Sequence, residues 1–190
     1  YLYDPGVEIA LVMRWPGGRI DGGRTCDHLL ANVDFVPTVL ELAGIPIPEN
    51  VEGVSFAANL TDAGAPAPRD AVFGMYQKFD IRSVRTDAYK LIQHFNFPTD
   101  YLELPVASDM QMQKRVIPMV ELYDLRSDPN EFHNVADEPE YASVREDLLD
   151  RLWRWLEDVD DPLLHGPVRT PSYEQAHDDY VAWKAANDSQ

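Results

Sequence analysis

The stretch Glu121-Leu122-Tyr123-Asp124-Leu125-Arg126-Ser127-Asp128-Pro129-Asn130-Glu131, closing on Asn134, reads as a strand running into a tight turn. Leu122 and Asp124 alternate with Tyr123 and Leu125, the period of a half-buried strand. Asp128-Pro129-Asn130-Glu131 has the chemistry of a type I turn, with proline at the position where its fixed φ is an advantage. Upstream of it, residues 71–77, 81–85 and 89–95 read as further short strands, and Thr86-Asp87-Ala88 turns the middle pair. Downstream, Asp137 and Glu140 fit a capping box opening a long helix. On that helix Val144, Leu148, Leu152, Trp155, Leu156 and Val159 fall on one face, so the pattern predicts a small antiparallel sheet covered by one helix.

The first third of the chain has a different pattern. Ile9-Ala10-Leu11-Val12-Met13 is a continuous apolar run, as expected for a strand covered on both faces in a mostly parallel sheet. It ends at Pro16-Gly17-Gly18. A helix follows, with Asp34 as its cap, Pro37 in its first turn and Gly44, Pro46 and Pro48 as its stop. Val36, Val39, Leu40 and Ala43 are its expected buried stripe. The Pro/Gly/Ala-rich stretch at 63–68 has the composition of a linker. The expected organisation is therefore the end of an α/β domain (1–62), a linker (63–70), the sheet-and-helix subdomain (71–160) and an irregular tail (161–190) with one short helix around 173–186. Residues 96–118 show no regular pattern, and long loops of that kind are often functional.

Lys and Arg number 16 against 33 Asp and Glu, a formal charge of -17. Such a surface repels nucleic acid and anionic membranes. It fits an ordinary acidic protein, or one adapted to high salt, where crowded carboxylates hold water and cations. A single cysteine excludes an internal disulfide. No apolar run has the length of a bilayer span and no signal segment is present, which leaves the compartment open. The opening on Tyr1, with an apolar strand soon after, is what a piece of a longer protein would show.

Four segments together resemble the sulfatase family. They are the 121–134 stretch (like "LYDL…DPxExxN"), residues 7–17 (like "YexGvxxPlixxwPG"), Asn32-Val33-Asp34-Phe35-Val36-Pro37-Thr38 through Gly44 (like "vDxxPTlLdLaG") and residues 81–92, IRSVRTDAYKLI (like "RsvRtxxyKLI"). The resemblance implies an alkaline-phosphatase-like α/β fold ending in an antiparallel subdomain, with this chain as its C-terminal portion. It also implies a parent that hydrolyses sulfate esters or N-sulfates, using a formylglycine nucleophile and a calcium ion. Both would belong to an N-terminal part. The Cys/Ser-x-Pro-x-Arg motif that makes formylglycine does not occur here, because Cys26 is followed by Asp27-His28-Leu29-Leu30. The resemblance therefore assigns no catalytic and no metal-binding residue to this chain, and expects it to be inactive alone. Its expected partner is the N-terminal catalytic part or, through the exposed apolar strand edge, a second copy of itself. Two other readings stand beside this one: part of a related phosphonate monoester or phosphodiester hydrolase, and a noncatalytic interaction module.

Other constellations carry less. Cys26-Asp27-His28 offers two adjacent metal-ligand types without the further ligands an ion needs. Asp124, Asp128 and Glu131 are calcium-ligand types without the calcium-loop spacing, which favours a turn-forming role. Ser55, Asp34 and His28 lack the Gly-x-Ser-x-Gly elbow of a hydrolase triad. His94 and Tyr76 are the candidates for contact with the part of a substrate beyond the sulfate, because the family's C-terminal subdomain approaches the mouth of the active site.

Overall fold

The computed structural model describes every residue except 1, 19, 21, 77–79, 96–101, 106–111, 116–117, 167–170 and 188–190. The described helices are α1 (Asp4–Val7), α2 (Phe35–Leu42), α3 (Ala57–Thr61), α4 (Ala142–Asp158) and α5 (Pro171–Asn187). The strands are β1 (Val72–Tyr76), β2 (Ile81–Arg85), β3 (Tyr89–His94), β4 (Leu102–Pro105), β5 (Met112–Arg115) and β6 (Val120–Asp124). The chain divides into two compact units, Tyr1–Trp153 and Arg154–Gln190.

β1, β2, β3 and β6 form one antiparallel sheet in the order β1-β2-β3-β6. The 86–88 turn forms as the sequence predicts, closed by Thr86 N–H donating to the Tyr89 carbonyl at 2.8 Å. The register settles which side chains share a face. Tyr76, Ile81 and His94 lie in one row, Ser83, Ile92 and Glu121 in a second, and Arg85, Lys90 and Tyr123 in a third. The opposite face carries Val84, Leu91 and Leu122, all fully buried. Helix α4 lies across that second face, because anchors at both ends of the face hold it. Near its start, the Tyr141 ring meets Tyr89 edge-on at 6.4 Å; further along, Trp153 meets Phe95 at 5.6 Å. Leu148 and Leu152 are its buried residues between these contacts.

The first face is roofed by the N-terminal segment. Leu2 packs with Ile81, Ile92, Tyr123 and Leu125, and it reaches the sheet where Gly74 stands. A Cβ on Gly74 would lie 2.8 Å from Ser83 Oγ and 3.4 Å from Leu2, so even an added methyl would force the Ser83 hydroxyl aside while it touched the roof.

Several local expectations are corrected. Residues 9–13 form no strand among the described residues; a strand needs a neighbour to take its backbone bonds, and none lies beside them. The expected capping box is replaced by a 3-10 turn, Pro139–Tyr141, whose N-cap Glu138 makes no side-chain bond. Pro139 explains this, since its fixed φ starts the helical turn without a side-chain cap. In α2, Val36 and Val39 face outward while Pro37 and Thr38 are buried. Asp34 makes no side-chain cap bond to α2. Instead its buried carboxylate accepts from Ala31 N–H at 2.7 Å and Val54 N–H at 2.8 Å and pairs with Arg69, while Thr38 Oγ1 donates to its carbonyl. The buried side of α2 is thus the one turned to residues 54–56, where Phe56 N–H donates to Thr38 Oγ1. Within 96–118, β4 and β5 pair as a two-stranded sheet, so part of that segment satisfies its own backbone. The tail holds a 17-residue helix, α5, longer than expected.

Candidate functional site

The first sheet face carries two buried polar clusters, and both bind the N-terminal segment. One centres on Lys90, a lysine in the middle of a strand and 1 % exposed. Its Nζ lies 2.7 Å from Asp4 Oδ1 and 2.9 Å from Glu131 Oε1. Arg85 Nε donates to the other Asp4 oxygen at 2.9 Å, and Asp4 N–H donates to Glu131 Oε2 at 2.6 Å. Two cations and two carboxylates thus interlock three separate pieces of chain: the 2–7 segment, the β2–β3 hairpin and the 128–131 turn. Burial by itself raises the Asp4 pKa, but the bonds from Lys90 and Arg85 outweigh it and hold the carboxyl below the ordinary range.

The second cluster centres on Glu121. His94 Nε2 stands 2.8 Å from Glu121 Oε1, Tyr3 Oη donates to Oε2 at 2.9 Å, and Tyr123 Oη donates to the same oxygen. Desolvation pushes the Glu121 carboxyl up, and the bonds from His94, Tyr123 and Tyr3 bring it below its ordinary value. Burial and the neighbouring carboxylate push the Tyr123 hydroxyl well up, so it stays a donor.

The signature residues after β6 are consumed by the same architecture. Glu131 N–H closes the predicted turn on the Asp128 carbonyl at 3.2 Å, and Glu131 itself adopts φ 59°. Asp128 Oδ2 accepts from His133 N–H at 2.8 Å. Asn134 Oδ1 accepts from Leu122 N–H at 2.9 Å, covering the outer edge of β6. Asp124 is held by Arg126, Nε at 2.8 Å. The three carboxylates of calcium-ligand type are therefore occupied with turn and ion-pair duties.

Of the predicted contact residues, His94 is 3 % exposed and engaged with Glu121, while Tyr76 is half-buried beside the Leu2 cluster. The structure brings them to one end of the sheet, through the row Tyr76, Ile81, His94. Cys26 is exposed, and among the described residues no group of three or more His, Cys, Asp or Glu could hold a metal ion. The sequence holds no formylglycine motif and the described residues offer no calcium site, and no chemical step is assigned to this chain through either. Sequence reading missed both clusters, Asp4 with Lys90 and Glu131, and Glu121 with Tyr3 and His94. The one available signal was a lysine inside the apolar strand pattern of 89–92, since a strand interior accepts a charge only when it is paired.

Residues 1–158 match the family described as N-sulphoglucosamine sulphohydrolase, C-terminal. The chain belongs to this family. It is 29% identical over 185 residues to an ulvan-active sulfatase of Formosa agariphila, covering 88% of this chain and 36% of that protein. It is 24% identical over 202 residues to human N-sulphoglucosamine sulphohydrolase, covering 87% of this chain and 40% of that protein. A solved structure in complex with its substrate D-glucosamine-2-N,6-O-disulfate aligns at a TM-score of 0.53 and 28% identity, over 68% of this chain and 24% of that one. The chain is thus a C-terminal sulfatase domain, α/β in class, and spans 36% and 40% of the length of these two curated relatives. Among the described residues no helix is long and apolar enough to cross a membrane.

Proposed function

We propose that this domain is the C-terminal part of a sulfuric ester hydrolase acting on sulfated sugars, at O- or N-sulfate positions. The observation that supports the reading is the match over residues 1–158 to a sulfatase C-terminal family, reinforced by relatives named for ulvan and glucosamine sulfates. In this reading the formylglycine nucleophile and a calcium ion belong to an N-terminal part, and the present domain completes the fold. Residues 1–62 finish the large domain, 63–70 link, 71–160 form the subdomain and 161–190 trail from it. Tyr76 and His94 lie at the substrate-facing end of the sheet. There His94 shapes that end through Glu121.

The test compares two samples, the 190-residue chain and the longer protein inferred here, for sulfate release from N-sulfated and 6-O-sulfated glucosamine. The reading expects calcium-dependent release by the longer protein and none by the 190-residue chain. Hydrolysis of phosphonate monoesters or phosphodiesters with no sulfate release would replace it with the phosphoryl branch. No hydrolysis of any of these esters would favour an interaction module.

A further inference from the structure

The tail helix α5 carries a row of rings that lies outside the matched family. The match ends at residue 158, and α5 begins at Pro171, in the second compact unit. Residues 175–181, with Trp183 and Lys184, are all exposed, so about two turns of the helix are solvated all round. His177, Tyr180 and Trp183 nevertheless recur at every third position. Their rings form a ladder, His177 to Tyr180 at 6.5 Å and 37°, Tyr180 to Trp183 at 6.4 Å and 24°. Tyr180 is 52% and Trp183 63% exposed. Single exposed aromatics need no explanation, but a contiguous exposed apolar strip marks a binding surface. Charge is arranged around the strip in one sense. His177, Tyr180, Val181 and Lys184 fall at i, i+3, i+4 and i+7, one face of the helix, and none of them is a carboxylate. Asp178 and Asp179 lie on the flanks, where Asp179 accepts from Gln175 Nε2 at 3.0 Å. Rings and an ammonium thus share a face inside a chain of formal charge -17.

We propose that this face of α5 binds a sulfated oligosaccharide, with Tyr180 and Trp183 stacked on the C–H face of a pyranose ring and Lys184 meeting a sulfate. The inference rests on the sulfatase reading for the class of ligand, and it gives the tail helix a partner of its own. A pyranose presents C–H bonds on its broad face and hydroxyls and sulfates around its rim. That is the complement of an aromatic surface with a cation at its border. The overall charge of -17 opposes any anion at long range. At physiological ionic strength, however, exposed charges more than about 8 Å apart are largely screened, so a bound sugar meets the residues of this face. A second copy is the weaker occupant. Twofold pairing of the face on itself brings no carboxylate to either Lys184 and sets two acidic chains together.

Titration calorimetry of the 190-residue chain tests this with three probes: a 6-O-sulfated N-acetylglucosamine hexasaccharide, the same sugar without sulfate, and a thymidine hexanucleotide. The sulfated sugar should bind tightest. Tyr180→Ala and Trp183→Ala should each weaken it about tenfold, the loss of one stacked ring. Lys184→Gln should weaken it about threefold and leave the unsulfated sugar unchanged. Trp15→Ala removes an exposed ring of the first unit and should change nothing. Alanine favours helix, and far-UV circular dichroism confirms that each variant keeps α5. No binding of the sulfated sugar, equal affinity for the two sugars, or binding that survives the double variant Tyr180→Ala, Trp183→Ala would overturn the inference. Tighter binding of the hexanucleotide would also overturn it, as would a dimer, seen by sedimentation, that Trp183→Ala dissociates. Sulfate release by the longer protein, with sugar binding indifferent to both rings, would sink this inference and leave the sulfatase reading standing. Ring-dependent binding of the sulfated sugar without any sulfate release would do the reverse.

Discussion

The first face of the small sheet and the segment from residue 7 to 47 place their side chains in opposite ways. On the sheet, Lys90, His94 and Glu121 are almost fully buried, Lys90 paired with Asp4 and Glu131 and the Glu121 carboxylate bonded to the His94 ring. In the segment, Val7, Ile9, Leu11, Val12, Trp15, Val36 and Ile45 stand out to solvent. A buried ion costs several kcal/mol unless it is paired, so the sheet face is an arrangement that is complete as it stands. The segment gains its hydrophobic stabilisation, about 25 cal/mol per Å² of apolar area, only when something covers it. The comparison separates the part of the domain that holds itself together from the part shaped for a neighbour.

The largest expected effect breaks the complete side. Lys90→Met leaves Asp4 and Glu131 facing each other with Arg85 alone to balance them, and should cost about 3–5 kcal/mol in urea unfolding of the domain. The double variant Lys90→Met, Glu131→Leu should recover part of that loss, since it removes a stranded carboxylate. Leu148→Ala probes the other face of the same sheet and should cost about 2–5 kcal/mol, by lost transfer energy and the cavity left behind. If it costs far less, α4 is not the cover of that face.

A smaller loss, about 1–3 kcal/mol, is expected for Glu121→Gln, which keeps the shape but removes the charge that His94, Tyr3 and Tyr123 address. Its pH signature is distinct. The folded pKa values of Glu121 and Asp4 lie below their ordinary values, so their stabilisation is fully present above about pH 4 and is lost as pH falls through the folded values. An acid titration of urea stability should therefore steepen below about pH 4, and the Gln variant should show a shallower slope. The smallest effect is on the uncovered side: Val12→Ser should change the stability of the 190-residue chain by no more than about 0.5 kcal/mol. A large loss there would mean that the run is already packed.

Much of the sheet was legible in the residues. The 86–88 turn and the Asp-Pro turn are local patterns whose backbone bonds close within a few positions, and both are found; strands also form at 81–85 and 120–124, buried on both faces rather than half-buried. The helix of residues 142–158 was legible as a stripe, although Pro139 rather than a capping box starts it. Residues 9–13 form no strand in this chain because composition reports the environment a segment is suited to, while pairing depends on a neighbour. Val36 and Val39 were misplaced for the same reason. The two buried polar clusters escaped because they join residues far apart in sequence, Asp4 with Lys90 and Tyr3 with Glu121, and no local period encodes such pairs.

One measurement bears on the contrast itself: amide exchange along the 190-residue chain, comparing residues 81–94 with residues 9–13. The sheet amides should open only with the whole domain and exchange about a thousandfold or more slowly than those of the apolar run. Equal rates in the two segments would contradict it, because the sheet would then be no more complete than the surface beside it.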